Sequence, residues 1–132
     1  MNFIKINTSQ LQIIQDLAYA IWPSAYGEIL SKEQLYYMLD KFYSVEALEQ
    51  QMIEKKQVFY IAVNDFDKPQ GFVSFELNAE PNKTKIHKIY VLPETQGTGL
   101  GKKLVTLVKE QALLNNQKSI FLNVNKFNKA KF

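Results

Sequence analysis

Apolar positions along the chain switch from helical to strand spacing near Val58 and back again near Gly99. Before the first switch, Phe3, Ile4 and Ile6 predict a short strand. Thr8 or Ser9 can then cap a helix whose apolar residues Leu11, Ile14, Leu17, Ala18 and Ile21 recur every three or four positions, ending before Pro23. The stretch WPSAYG (22–27) reads as a loop. Ser31 and Gln34 stand at capping-box spacing, which predicts a second helix from about Lys32 toward Phe42. Ser44 opens a short third helix through Val45, Leu48 and Met52. From Val58 the alternation becomes twofold. VFYIAV (58–63), FVSFEL (72–77) and TKIHKIYVL (84–92) read as three meander strands, divided by the turns NDFDKPQG and NAEPN. A helix from about Gly99 to Leu114 follows, with Leu100, Leu104, Leu107, Val108 and Ala112 on one side and Asn115 and Asn116 as C-cap residues. SIFLNV (119–124) is a further strand, and Asn128 caps a final helix hardly begun at Phe132.

This order predicts an α/β (α+β) fold: a mixed central sheet with flanking helices and a parallel crossover at its C-terminal end. A length of 132 residues suits one domain, 1–132. Hydrophobic residues make up 46% and charged ones 22%, the balance of a folded globular protein. The absence of cysteine excludes disulfides, thiol nucleophiles and thiolate metal sites, and a single histidine argues against an imidazole metal cluster, so no metal is expected. No leader-like segment or membrane-length apolar run occurs, and the chain reads as cytoplasmic, without a membrane partner.

The net charge of +3 conceals a division. Residues 1–80 carry six lysines against eleven acidic residues, a balance of −5; residues 81–132 carry ten lysines against two acids, a balance of +8. A basic half suits a polyanionic ligand and an acidic half a cationic one. Arginine is absent and no nucleic-acid motif occurs, so nucleic acid is not the expected polyanion.

The basic half holds QGTGLG (96–101), between a strand and a helix. Its three glycines permit positive φ and close backbone approach, and the helix that follows offers free N–H groups and a positive dipole end, which together suit phosphate. Two common phosphate motifs fail here. A P-loop needs glycine where Gln96 stands and Ser or Thr where Lys103 stands; a dinucleotide fingerprint needs another glycine spacing and an acid some twenty residues on.

A third pattern fits. IHKIYVLPETQGTGLGKKLV (86–105) resembles motif A of the GNAT superfamily of N-acetyltransferases, Arg/Gln-x-x-Gly-x-Gly/Ala after a strand ending in an aliphatic-Pro pair. Gln96, Gly99 and Gly101 occupy the signature positions, and Leu92-Pro93 supplies the pair. Downstream, LNVNKFNKAKF (122–132) is similar to the family's Asn-x-x-Asn-x-Ala landmark, through Asn125, Asn128 and Ala130. The element order read above is also the family's.

The resemblance implies an acetyl-CoA-dependent N-acetyltransferase acting by direct attack of a primary amine in a ternary complex. It assigns the pyrophosphate to the turn, through Gln96, Gly97, Thr98, Gly99, Leu100, Gly101 and Lys102, with Lys103 adding charge. Tyr90, Val91 and Leu92 would pair with the pantetheine arm, an N–H near Val91 would polarise the thioester carbonyl, and Asn128 would bond the cofactor from the next helix. Many members carry a Glu base on the strand before the turn; here that strand carries His87, with Glu28 and Glu76 as alternatives.

Two family features are missing. A tyrosine acid usually stands four residues after the Ala of the second landmark, beyond Phe132, and two further strands usually cover the sheet. The implied readings are a fragment, a natural truncation with a CoA-binding regulatory role, or a homodimer in which a second copy covers the edge. For the acceptor, the family uses the first two helices and their loop, here Trp22, Tyr26, Glu28, Glu33, Tyr36, Tyr37, Asp40 and Tyr43. Carboxylates among aromatics favour a small cationic amine, and this region distantly resembles bacterial spermidine/spermine acetyltransferases, which implies a polyamine-like substrate.

Overall fold

In the computed structural model, which describes residues 1–122, a five-stranded sheet is covered by helices on both faces. Its strands are β1 (Asn2–Lys5), β2 (Val58–Val63), β3 (Pro69–Glu80), β4 (Lys83–Val91) and β5 (Ser119–Phe121), in that spatial order. The first four are antiparallel neighbours, and β5 returns parallel to β4. The helices are α1 (Leu11–Tyr26), α2 (Lys32–Tyr43), α3 (Val45–Ile53) and α4 (Leu100–Leu114).

Twofold alternation divides the strand residues between two cores. Phe59, Ile61, Val63 and Phe72 face α1–α3, while Ala62, Val73, Phe75 and Ile89 face α4. Leu100, Leu104, Val108 and Ala112, four residues apart, bury one stripe of α4 against that second face. Burying a leucine as completely as Leu104 contributes roughly 1.5–3 kcal/mol, so the stripe fixes the start of α4 relative to the sheet.

Capping explains the helix starts. Ser31 and Gln34 form the expected capping box at α2, and the Ser44 hydroxyl accepts from the Ala47 N–H at α3. Before α1 the capping residue is Asn7 rather than Thr8 or Ser9; it forms a box with Gln10 around a 3₁₀ turn at Thr8–Gln10. The loop expected at 22–27 is instead the last turn of α1, which runs through Pro23 to Tyr26. Proline removes one helical hydrogen bond, but Trp22 and Tyr26 on either side of it are both buried, and their packing outweighs the local cost. The β3–β4 hairpin is longer than its turn residues suggest, with strand structure reaching Glu80 and resuming at Lys83. After α4, Asn115 is the C-cap and Asn116 takes the left-handed conformation at φ 59°. The segment from 123, with Asn125, Asn128 and the last helix expected there, lies outside the described residues.

Candidate active site

Two features of β4 shape the site. The first is a bulge: Ser74 pairs with Lys88 but Phe75 pairs with Ile86, so His87 is the extra residue. Its mark in the sequence is the three-residue step from Ile86 to Ile89, both of which pack toward α4. The second is the direction of the backbone at the strand's end. The Leu92 N–H donates to the Gln70 carbonyl at 2.8 Å, so the neighbouring Gly71–Val91 pair is a non-hydrogen-bonded one. The N–H of Val91 therefore points away from β3, toward the β5 side. There β5 pairs only with Lys83, Thr84 and Lys85, and among the described residues the later part of β4 has no strand beside it.

From Val91 the chain passes through a 3₁₀ turn at Pro93–Thr95 into the glycine turn. Gly97 and Gly99 adopt φ of +83° and +85°, the left-handed region that glycine enters most readily. No side chain caps α4. A Cβ placed on either glycine would meet nothing within 4 Å, so the turn is uncrowded on that side, and no side chain takes up the opening N–H groups of the helix. Gln96, Thr98 and Lys102 are exposed around this opening, whereas Leu100 and Gly101 are buried and contribute backbone alone. An uncapped helix N-terminus approached over bare glycine backbone, with lysine side chains in the first turn, fits a pyrophosphate.

On the α1–α3 face, the His87 Nε2 and Glu76 Oε1 atoms are 2.8 Å apart, joining two residues expected as alternatives. Burial holds the imidazole below its ordinary value, the Glu76 hydrogen bond acts in the opposite direction, and the charges of Lys88 and Lys85 push it lower. Glu28 is exposed in the loop after α1, and no hydrogen bond or ion pair among the described residues ties it to His87 or Glu76. Tyr90 directs its hydroxyl to that of Tyr26, 2.8 Å away, within a ring cluster that includes Trp22 and Phe72. Burial raises both tyrosines above the usual phenol range, so they stay protonated at neutral pH.

The expected acceptor set divides in two. Trp22, Tyr26 and Tyr43 are core residues, removed from any open acceptor surface by packing under the sheet. Glu28, Glu33, Tyr36, Tyr37 and Asp40 are exposed. Sequence reasoning missed Lys88, whose ammonium lies 3.3 Å from the Gln57 Oε1 and over the rings of Tyr43 and Phe59 at 5.9 and 5.7 Å. Among the described residues no carboxylate pairs with it, and burial lowers its pKa to about 8. No group of metal-ligating side chains occurs among the described residues, and none of their helices is long and apolar enough to cross a membrane.

Solved structures share this fold. PaiA N-acetyltransferase from Thermoplasma acidophilum, solved with coenzyme A, superposes with a TM-score of 0.84 at 22% identity, over 97% of this chain and 81% of its own. Ribosomal-protein-alanine N-acetyltransferase from Brucella melitensis biovar Abortus 2308 gives 0.67 at 18% identity, over 95% and 80%. AAC(6′)-Iy, solved with the bisubstrate analogue CoA-S-monomethyl-acetylneamine, gives 0.62 at 16% identity, over 95% and 80%. At these identities the likeness is one of fold, and it agrees with the five-stranded sheet and flanking helices described above. A family model described as the acetyltransferase (GNAT) family matches residues 14–131, which takes in most of α1, the β4 bulge and the glycine turn. With that match over most of its length, the chain belongs to the GNAT family of acetyltransferases.

Proposed function

We propose that this acetyltransferase moves the acetyl group of acetyl-CoA onto a primary amine of a small cationic, polyamine-like acceptor, by direct attack in a ternary complex. The observation that carries the reading is the conjunction at the end of β4: an N–H at Val91 directed away from β3, followed by the uncapped, glycine-lined start of α4. Gln96, Gly97, Thr98, Gly99, Leu100, Gly101 and Lys102 hold the pyrophosphate, mostly through backbone N–H groups. Tyr90, Val91 and Leu92 present the strand edge to the amides of the pantetheine arm, and the Val91 N–H polarises the thioester carbonyl. Acetyl-CoA supplies the activated acyl group. His87, held below the ordinary imidazole value, is neutral near pH 7 and takes the proton of the attacking amine. Asn128 keeps the role the family pattern gives it, a cofactor hydrogen bond from beyond the described residues.

A cationic acceptor is supported by the exposed acids Glu28, Glu33 and Asp40 beside the exposed rings of Tyr36 and Tyr37. Titration calorimetry with acetyl-CoA, followed by CoA-release assays with spermidine and with uncharged amines of similar size, tests the reading. Saturable binding and faster turnover of spermidine, with the preference weakening as salt rises, are expected. Binding without turnover of any amine would make the chain a CoA-binding remnant. Equal turnover of charged and uncharged amines would remove the polyamine assignment.

A further inference from the structure

We propose that Glu76 is the positioning residue for His87: its carboxylate accepts the Nε2 proton, which fixes the imidazole as the Nε2–H tautomer and leaves Nδ1 as the basic atom. The inference rests on the reading of His87 as the base.

Three observations carry it. Glu76 lies between Phe75 and Leu77, both directed to α4, so its own side chain is on the opposite face. Regular alternation along β4 would alternate His87 with Lys88 across the sheet; the bulge at His87 breaks the alternation and brings the ring to Glu76 at 2.8 Å. An ionised carboxylate only accepts, so the shared proton resides on Nε2. Finally, Nδ1 has no hydrogen-bond partner among the described residues, and the two side chains are 21% and 28% exposed, open enough for an amine to reach the ring.

The proton inventory follows. As the amine nitrogen forms its bond to the thioester carbon, Nδ1 takes the N–H proton and the ring becomes an imidazolium whose Nε2–H stays on Glu76. The C–S bond then breaks with its electron pair on sulfur, and the thiolate is protonated by the imidazolium or by water. The charges bearing on the ring are Glu76 from β3 and Lys85 and Lys88 from β4. Glu76 favours the imidazolium and the two lysines oppose it, so removing the carboxylate shifts the imidazole pKa downward.

His87 is the one histidine in the sequence, so its ring nitrogens are assigned without ambiguity in a ¹⁵N-labelled sample. Two-bond ¹H–¹⁵N spectra across pH 5–9 (about the range in which an imidazole titrates), with parallel kcat profiles on acetyl-CoA and spermidine, decide the matter. The wild type is expected to show the Nε2–H tautomer. Glu76→Ala is expected to give a mixture of tautomers and to lower kcat about tenfold or more, with the KM for acetyl-CoA unchanged. Glu76→Gln, whose amide oxygen still accepts from Nε2–H, should keep the tautomer, recover part of kcat and titrate at lower pH. A wild-type Nδ1–H tautomer would overturn the proposal, as would a Glu76→Ala protein with unaltered tautomer and kcat. A wild-type Nε2–H signal lost in Glu76→Ala, from a protein that acetylates no amine, would support the pairing and overturn the functional reading.

Discussion

At Gly99 the backbone conformation, and not the available space, forbids a side chain. Its φ is +85° and a Cβ would touch nothing, so Gly99→Val should cost roughly 1–3 kcal/mol of strain while leaving the core packed. Acetyl-CoA binding, followed by calorimetry, should be lost far out of proportion to the fall in melting temperature. Lys88 offers a test of opposite sign. Its folded pKa of about 8 lies below the ordinary 10.5, so between those values the unfolded chain holds a proton that the folded chain has released, and stability rises with pH. Below pH 8 the burial penalty is fully present. Lys88→Met should therefore stabilise by roughly 2–3 kcal/mol at pH 7 in urea titrations, with the gain fading as pH approaches 10.5. The conformation of the glycine turn was legible in the sequence because it depends on adjacent residues. The pairing of His87 with Glu76, eleven residues apart, and the burial of Lys88 depend on a bulge in the register of two strands, which local spacing signals only through Ile86 and Ile89.

The elements were readable wherever a start signal and a period agreed, as at α2, α3 and β2. They were misread where tertiary packing overrode a local rule, as at Pro23 inside α1. Such packing also sets the tolerance of the strand pair that carries the site. A Cβ on Gly71 would lie 2.7 Å from the Tyr90 carbonyl oxygen and 3.0 Å from Val91 Cγ1. The first contact, to backbone, is closer than real packing allows, and the second, to a side chain, is tight. Gly71→Ala should push the end of β4 away from β3, destabilising the protein by about 1–3 kcal/mol and raising the KM for acetyl-CoA, as read by thermal denaturation and initial rates.

Across the whole molecule, the two faces of the sheet are covered differently: α1–α3 pack on the face with His87 and Glu76, and α4 packs on the other with its N-terminus uncapped. Gln117 ties the far end of α4 to the hairpin. Its Oε1 accepts from the Asn78 N–H at 2.9 Å and the Thr84 hydroxyl at 3.0 Å, while its Nε2 donates to Asn78 Oδ1 at 3.0 Å. Gln117→Ala would leave the buried Thr84 hydroxyl without its acceptor, at a cost of about 2 kcal/mol, and a steeper loss of order in β5 than in α1 should be visible by proteolysis. Fold class and element order could be read from the sequence because they follow from hydrophobic period. On β4 the face of each residue does not follow from alternation alone, since the bulge at His87 shifts the assignment beyond it.

The backbone direction at Val91 also sets a clock for solvent. The N–H groups of Ile89 and Val91 point away from β3, while those of Tyr90 and Leu92 are tied into the ladder. In deuterated buffer without ligand, the amide at 91 should therefore lose its proton much faster than those at 90 and 92. Acetyl-CoA should slow exchange at 91 selectively and leave the ladder positions almost unchanged, so that the cofactor behaves, residue by residue, as a temporary strand beside β4.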